Sequence, residues 1–354
     1  MEFYIFVTKC CNLNCKYCSA VNIQRGSPPK GDWPDVKQVS NFILRNLSNK
    51  RNNIVFYGGE PLLNQEWIKK FIKLTKNKNL TFTLQTNGVL LDKTNNYILE
   101  NLDFIFVSID GNKKITDKYR GRGTYNKILS NLRSAKPKIK GKLLARMTLT
   151  PENSVYDSVT HLLNLNIFDY IFWQLENSQR KINYSQTKKR YQKDIRKLTD
   201  LWIENIASGK IVGIIPFQAI TLSILNKKRH DSYRCGAGTY LVTIDSDGNC
   251  YSCDELLEPE FKIGSINNGI KQRKLSSPNR SKFCLDCDIG QICGGRCFKA
   301  SLKFPTEKFK FYCDMTKILA KEIQNKIPQI KSLIQKGKIS ARDLGYDCVT
   351  EEIP

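Results

Sequence analysis

The chain has 354 residues, of which 40% are hydrophobic, and this is enough for one large domain with its own core and a smaller second one. Its 57 Lys and Arg residues against 33 Asp and Glu give a formal net charge of +24, and it contains 13 cysteines. No apolar run reaches the roughly 18 residues of a membrane span and no signal-peptide pattern opens the chain, so we expect a cytoplasmic protein with reduced thiols and no membrane partner.

The basic residues are spread along the whole chain rather than concentrated in one arm, as in 188–190 and 227–229. Solvated helix faces account for most of them. The remaining excess permits an acidic peptide or a nucleic acid as a partner, and the charge alone does not decide between the two.

Apolar runs typical of strands alternate with helical segments through the first half of the chain. The predicted strands are 3–7, 54–57, 80–85, 104–109, 143–149 and 170–175, and the predicted helices are 36–47, 65–75, 95–100, 125–135 and 155–165. Six such β/α units predict an α/β fold with a parallel sheet and right-handed crossovers, in which ligands gather at the C-terminal strand ends. A long amphipathic helix at 185–208 follows, and the tail at 315–335 is predicted to be helical with a break at Pro328.

A cysteine-rich loop, TKCCNLNCKYCS, follows the first predicted strand. Cys11, Cys15 and Cys18 stand at the spacing Cys-x3-Cys-x2-Cys. Each iron of a four-iron cluster takes one protein ligand, so three thiolates leave one iron open, whereas structural zinc requires four filled positions. The alternative is a chance group of buried or zinc-bound thiols. Cys10 lies outside the pattern and is expected to be a buried thiol.

This loop resembles the signature of the radical SAM superfamily, in which an aromatic residue, here Tyr17, precedes the last cysteine. The resemblance implies a partial (β/α)6 TIM barrel and S-adenosylmethionine (SAM) bound at the open iron, with Tyr17 near the adenine. It also implies that an electron from the cluster cleaves SAM to a 5'-deoxyadenosyl radical, which abstracts hydrogen from an unactivated carbon. The protein then supplies orientation and exclusion of water.

Further residues are assigned to SAM by the same resemblance. Gly58, Gly59 and Glu60 follow the second strand and resemble the GGEP element that contacts the amino group of SAM. Ser108 on the fourth strand and Arg120, twelve residues on, match a serine and an arginine that hold the ribose and carboxylate in related maturases. An arginine fork suits a carboxylate, although a surface salt bridge is the alternative for Arg120.

Two other strand ends carry polar residues whose role is open. Asn87-Gly88 follows the third strand and favours positive φ, so it can be turn chemistry alone. Gln174 and Glu176 share one face of the sixth strand by period-two alternation, and both could face a substrate. Simple exposure is the alternative for Glu176, while Gln174 resembles a barrel-interior glutamine of related maturases.

A second cysteine pattern begins after residue 230. It consists of Cys235, Cys253, Cys284, Cys287, Cys293, Cys297 and Cys313. Seen alone, its Cys-x2-Cys pair is as typical of a zinc ribbon as of an iron–sulfur site. A zinc ribbon in a basic protein would suggest nucleic-acid binding. We therefore divide the chain into 1–228, 229–315 and a helical tail, 316–354.

The full spacing resembles the SPASM extension of radical SAM enzymes that act on peptides, which houses auxiliary [4Fe-4S] clusters. By that resemblance Cys235, Cys253 and Cys297 bind one cluster, and the other is bound by the four cysteines Cys284, Cys287, Cys293 and Cys313. With the first loop this makes three [4Fe-4S] clusters. The eighth auxiliary ligand of related enzymes is missing, and His230, Cys250, Cys348 or an open iron are its possible replacements.

Asp254 follows Cys253 in a segment that resembles anaerobic sulfatase-maturating enzymes, where an aspartate is the proposed base; a structural role in bracing the loop is the alternative. The chain is thus predicted to be a radical SAM/SPASM oxidoreductase that modifies a peptide or protein by a cross-link, thioether or formylglycine-type reaction. Its electron donor would be a protein such as flavodoxin or ferredoxin. A small molecule or RNA as substrate, and a zinc-ribbon nucleic-acid binder, are the alternatives.

Overall fold

The computed structural model describes residues 1–18, 23–26, 33–177, 182–271, 282–346 and 352–354. The chain divides into two compact units. Unit one comprises Met1–Ile109, Lys113–Leu144 and Gly236–Pro278, and unit two comprises Asp110–Asn112, Ala145–Cys235 and Asn279–Pro354. The division at residues 228 and 315 was drawn from the cysteine pattern rather than from contacts, and it stays a prediction.

Strands and helices alternate along the described chain, as the apolar pattern predicts. The strands are β1 (Glu2–Thr8), β2 (Cys10–Cys11), β3 (Gln24–Arg25), β4 (Asn53–Gly58), β5 (Thr81–Thr86), β6 (Phe104–Ser108), β7 (Lys142–Leu149), β8 (Tyr170–Leu175), β9 (Gly213–Ile214), β10 (Leu241–Ile244), β11 (Asn249–Tyr251), β12 (Lys262–Ser265) and β13 (Gly269–Ile270). The six predicted strands correspond to β1, β4, β5, β6, β7 and β8, so the predicted α/β fold with a parallel sheet is confirmed.

The helices agree with the predicted ones to within two residues, except that the tail helix predicted at 315–335 begins nine residues earlier, at Thr306. They are α1 (Val36–Arg45), α2 (Gln65–Thr75), α3 (Asn96–Asn101), α4 (Lys113–Arg120), α5 (Thr124–Ala135), α6 (Val155–Asn164), α7 (Tyr184–Ala207), α8 (Ile215–Leu225), α9 (Lys282–Leu285), α10 (Gly290–Cys293), α11 (Phe298–Lys303) and α12 (Thr306–Gln335). Short 3₁₀ turns lie at Pro61–Asn64, Leu91–Lys93, Lys136–Lys138 and Pro259–Phe261. None of the helices in the described ranges is both long and apolar enough to cross a lipid bilayer.

The sheet of unit one has β1 at its centre. Its strands run in the order β13, β12, β11, β10, β1, β4, β5, β6, and β1 pairs in parallel with β4 on one side and β10 on the other. All seven residues of β1 are buried. A strand that is covered on both faces is typical of parallel sheets, and it explains the unbroken apolar run Phe3–Val7.

Residues 241–270 form an unpredicted part of this sheet. β10 runs parallel to β1, and β11, β12 and β13 follow it as antiparallel neighbours. Although the cysteine pattern assigns these residues to an auxiliary domain, their strands extend the sheet that carries the first cysteine loop.

Unit two contains residues 145–149 of β7 together with β8 and β9, and its core contains the buried rings of Trp173, Trp202 and Phe217. The indole N–H of Trp202 donates to the Val212 carbonyl at 3.1 Å, which fixes the end of α7.

The predicted break at Pro328 is wrong, because α12 continues through it from Thr306 to Gln335. Proline removes one backbone donor from a helix interior. Here Ile323 and Ile327 before it and Ile330 after it are all buried, so packing of one continuous apolar stripe overrides the local preference.

Candidate metal and cofactor sites

The first cysteine loop leaves the core immediately after β1. β2 and β3 pair in parallel across its base, with Cys11 opposite Arg25. Cys10 is 1% exposed, as expected of a buried thiol. Cys11 and Cys15 are half-buried and Cys18 is exposed, so the three thiols of the motif are accessible to a bound group. Burial raises the pKa of the Cys11 thiol, opposed by the Leu13 N–H that donates to its sulfur at 3.4 Å.

Gly58 and Gly59 bring the end of β4 against the backbone of this loop. The Gly59 N–H donates to the Thr8 carbonyl at 2.9 Å. A Cβ on Gly58, whose φ is +124°, would lie 2.3 Å from the Thr8 oxygen, and one on Gly59 would lie 2.1 Å from the Cys10 oxygen. Both positions therefore require glycine because of backbone packing against the loop. Contact of these residues with SAM stays a prediction.

The Glu60 carboxylate is fully buried and accepts three hydrogen bonds. The donors are the Leu62 N–H at 3.0 Å, the Thr86 hydroxyl at 2.8 Å and the Asn87 N–H at 2.7 Å. Burial raises the pKa of Glu60 to about 7, against the effect of these donors. The carboxylate joins the ends of β4 and β5 and uses three of its roughly four acceptor positions, and its contact with the amino group of SAM stays a prediction.

Asn87 links the third strand end to the cysteine loop. Its side-chain N–H donates to Asn12 Oδ1 at 2.7 Å and lies 3.9 Å from the Cys11 sulfur. Gly88 has a φ of +78°, so the predicted turn chemistry is present as well. The sequence offered Asn-Gly as a turn signal but no sign of this link, which arises because parallel strands end at the same edge of the sheet.

Tyr17 and Arg120 lie together, and their contact with SAM stays a prediction. The Tyr17 ring is 5.6 Å from that of Tyr119, and the Arg120 guanidinium carbon is 5.4 Å from the Tyr17 centroid. Arg120 is 6% exposed, so it is not a surface ion pair. Ser108 is half-buried at the end of β6. The backbone N–H of Lys16 also donates to the Tyr119 carbonyl at 2.9 Å, a tie that the sequence did not indicate.

The second half of unit one carries Cys250, Cys253 and Asp254. Cys250 is fully buried in β11, and burial, together with Asp245, raises its pKa to about 12. Cys253 is also buried, and its sulfur lies 3.9 Å from an Asp254 carboxylate oxygen. The proximity of thiol and carboxylate is compatible with either predicted role for Asp254.

Unit two contains a cavity lined by four cysteines. These are Cys284, Cys287, Cys293 and Cys313, contributed by α9, the loop after it, α10 and α12. Burial raises the pKa of Cys293 to about 11 and that of Cys313 to about 12, and the positive charge of Arg296 opposes the shift at both. These four are the residues that the resemblance to the SPASM extension assigns to a single cluster, and that assignment stays a prediction.

Other predicted ligands of unit two lie near Tyr233. Burial raises the pKa of this phenol to about 12, and the negative charges of Cys284, Cys297 and Cys235 act in the same direction. His230 Nε2 lies 3.2 Å from the Ser223 hydroxyl, and burial followed by the charge of Arg234 lowers its pKa to about 4. Its imidazole is therefore neutral at pH 7. Cys348 lies outside the described residues.

Gln174 on β8 and Glu176 just after it differ in burial. Gln174 Oε1 accepts from Arg146 Nη2 at 3.0 Å and is half-buried. Glu176 is 3% exposed, so simple exposure to solvent is wrong for it. Its backbone carbonyl accepts from the Tyr312 hydroxyl, which ties the end of β8 to α12.

The described cysteines do not converge on a single point. Among the described residues, no three His, Cys, Asp or Glu side chains are grouped closely enough to hold one metal ion. Ligands of a cubane bind different irons, so their sulfurs need not surround one point. The four-cysteine cavity also contains a buried Arg296 Nε atom that has no hydrogen-bond partner among the described residues. A cavity with four thiols and a cation fits an anionic group.

Residues 5–161 match the profile of the Radical SAM superfamily. This matching stretch contains the cysteine loop, Glu60, Asn87 and Arg120. This match confirms the prediction, made from the cysteine loop, of a radical SAM enzyme with an α/β fold.

Named relatives match most of the chain. It is 25% identical over 317 residues to the cysteine-type anaerobic sulfatase-maturating enzyme of Clostridium novyi, covering 81% of this chain and 84% of that one. The same enzyme of Clostridium perfringens is 25% identical over 342 residues, covering 87% and 91%. The radical SAM cyclopropyl synthase TigE of Paramaledivibacter caminithermalis is also 25% identical, over 90% of this chain and 73% of its own.

The fold is also similar to a solved structure described as native anSMEcpe with bound AdoMet. The TM-score is 0.74 at 22% sequence identity, and the match covers 94% of this chain and 99% of the other. At this identity the similarity supports the fold alone.

Proposed function

We propose that this protein is a radical SAM enzyme that oxidatively modifies a peptide or protein. The observation that carries the proposal is the accessible three-cysteine loop, held between β1, the end of β4 and Asn87. Three thiolates complete three corners of a four-iron cluster, and the fourth iron is left for SAM. With its cluster and SAM bound, this site supplies a carbon-centred radical that can abstract hydrogen.

The residues of the chain then have distinct tasks. Cys11, Cys15 and Cys18 hold the cluster, and Asn87 donates toward the Cys11 sulfur. Tyr17 and Arg120 form an aromatic and cationic wall that suits an adenine ring and a carboxylate. Gly58, Gly59, Glu60 and Ser108 complete the proposed SAM site.

The first experiment measures SAM cleavage by the anaerobically reconstituted protein with a chemical reductant. We expect the wild type to form 5'-deoxyadenosine and Cys15→Ala to form none above a cluster-free sample, because the cluster loses a ligand. Cys10→Ala is the matched control, since this buried cysteine lies outside the motif, and it should retain cleavage. Cleavage by Cys15→Ala at the wild-type rate would contradict the proposal.

A peptide substrate is proposed from the relatives and from the second cysteine pattern. Several relatives are anaerobic sulfatase-maturating enzymes, and a solved structure of anSMEcpe contains AdoMet and a peptide. A net charge of +24 favours an acidic segment near the modified residue. The test compares a cysteine peptide with its serine counterpart, each with acidic or neutral flanks, and follows the peptide by mass spectrometry.

Asp254 is proposed as the base that takes a proton from the substrate. Asp254→Ala should still cleave SAM but lose most of the modified peptide, because hydrogen abstraction would no longer be followed by proton removal. Glu255→Ala, which removes the neighbouring carboxylate, should retain product. An unchanged product yield in Asp254→Ala would assign this residue a structural role in the cysteine loop.

We further propose three [4Fe-4S] clusters and a flavodoxin or ferredoxin as electron donor. One auxiliary cluster would be held by Cys284, Cys287, Cys293 and Cys313, and the other by Cys235, Cys253 and Cys297. His230, Cys250, Cys348 or an open iron would complete the latter. We place the protein in the reducing cytoplasm, where so many free thiols persist. Iron and sulfide analysis tests the count, and zinc without sulfide would instead indicate the zinc-ribbon alternative.

A further inference from the structure

Three consecutive residues beside the four-cysteine cavity have positive φ values. These are Gly294 at 71°, Gly295 at 98° and Arg296 at 62°. Glycine adopts such values freely, whereas a residue with a side chain is strained there. The turn directs the Gly295 N–H toward the sulfur of Cys293. Arg296 is therefore held in a strained conformation at the rim of a site that already donates hydrogen bonds to sulfur.

The Arg296 side chain extends along the cavity wall. Its guanidinium carbon lies 4.6 Å from the centre of the Tyr312 ring, and its Nε atom is buried without a hydrogen-bond partner among the described residues. No described carboxylate forms an ion pair with it. Lys317, the other cation that lines the cavity, is paired with Asp288 at 3.2 Å.

Arg296 is partly buried, and its buried Nε loses hydration that no described hydrogen-bond acceptor offsets, which is costly for a charged group. Four thiolates that hold a cluster supply an anion, since such a cluster is net negative. Reduction adds one further negative charge, so a fixed cation stabilises the reduced cluster more than the oxidised one. Net charge and hydrogen bonds to sulfur are the protein's means of setting a cluster's potential.

We propose that Arg296 is the counter-charge of an iron–sulfur cluster bound by Cys284, Cys287, Cys293 and Cys313 and that it raises the reduction potential of that cluster. Because this presupposes a cluster at these cysteines, it rests on the proposed function. Arg296 would affect electron transfer through the reduction potential of this cluster and would not itself touch the substrate.

The test is a redox titration followed by electron paramagnetic resonance. The parent protein carries alanine at Cys11, Cys15 and Cys18, so that the SAM-binding cluster contributes no signal. The signal that disappears on adding Cys287→Ala is assigned to the four-cysteine site. Each cluster accepts one electron from the titrant, and no bond is made or broken. Iron and sulfide are measured on every sample to establish that the cluster is present.

Arg296→Gln removes the charge and Arg296→Lys retains it. At a fixed potential, we expect the ratio of reduced to oxidised cluster to fall about tenfold in Arg296→Gln, which corresponds to about 59 mV for a one-electron couple. Arg296→Lys should restore most of the ratio. Lys321→Gln is the control, because Lys321 does not line the cavity and pairs with Asp288 at 3.3 Å. It should change the ratio less than about twofold.

An unchanged ratio in a fully loaded Arg296→Gln protein would overturn the proposal. If Arg296→Gln loses its iron and Arg296→Lys keeps it, the charge is needed to hold the cluster, which supports the proposal. Equal loss of iron in both variants would overturn the proposal, because the role of Arg296 would then be the packing of its guanidinium on Tyr312 rather than its charge. Absence of iron and sulfide from these cysteines in the parent protein would contradict the proposed function itself, before any change at Arg296.

Discussion

Replacing Gly59 with alanine tests whether the end of β4 sets the position of the cysteine loop. The added Cβ would lie 2.1 Å from the Cys10 oxygen, 2.5 Å from its carbonyl carbon and 3.1 Å from the Cys11 nitrogen. All three are backbone atoms, so no side-chain rotation relieves the overlap. An ordinary contact between non-bonded heavy atoms is about 3.5 Å, so the two segments would have to separate by about 1 Å.

The energetic cost follows from this displacement. Overpacking of this kind costs about 1–3 kcal/mol. The hydrogen bond from the Glu60 N–H to the Cys10 carbonyl, now 2.8 Å, would also be weakened, adding about 1 kcal/mol. Since a shift of about 1 Å at a reacting centre can lower a rate about 100-fold, SAM cleavage should fall by a similar factor.

The assay combines urea unfolding of the metal-free protein with SAM cleavage after reconstitution. Gly123→Ala is the control, because Gly123 also has positive φ, +83°, but no atom lies within 4 Å of the added Cβ. It should lose about 1–2 kcal/mol from backbone strain and keep its cleavage rate. The steric argument would be refuted if Gly59→Ala cleaved SAM at the wild-type rate, or if Gly123→Ala lost as much of that rate as Gly59→Ala.

Two further predictions concern Asn87 and Glu2. Asn87→Asp keeps the side-chain shape but loses the donor near the Cys11 sulfur, so cleavage should fall about 10–100-fold in a steady-state assay, and a normal rate would show that the contact is incidental. Burial raises the pKa of Glu2 to about 7 from an ordinary 4.5, so the folded state binds an extra proton between these values. Stability should fall by up to about 3 kcal/mol as the pH rises through that window. Glu2→Gln should remove this slope in urea unfolding at a series of pH values, whereas the same slope in both proteins would assign it to other groups.

The sequence predicted the parts of this protein whose signals are local. The apolar run Phe3–Val7 and the cysteine spacing that follows it identified the strand, the loop and the chemical class together. Gly58 and Gly59 were also found, but the reason for glycine there is the approach of the Thr8 and Cys10 backbones, which depends on a strand distant in the sequence.

The features that the sequence did not predict depend on distant partners. The link from Asn87 to Cys11 requires two strand ends to meet at one edge, and β10 pairs with the first strand of the chain, Glu2 with Leu241. Pro328 shows the opposite error, where a reliable local signal was overridden by the packing of α12. The strained Arg296 gives no signal at all, because Gly-Gly-Arg is an ordinary turn sequence until its φ values are known.

The central position of β1 has a consequence for the order in which this protein assembles. β1 is synthesised before both of its partners, and it pairs on one side with residues 53–58 and on the other with residues 241–244. One edge of an apolar strand therefore remains open while most of the chain is being synthesised. Such an edge is a template for intermolecular pairing, so the nascent chain is exposed to aggregation until β10 emerges and closes it.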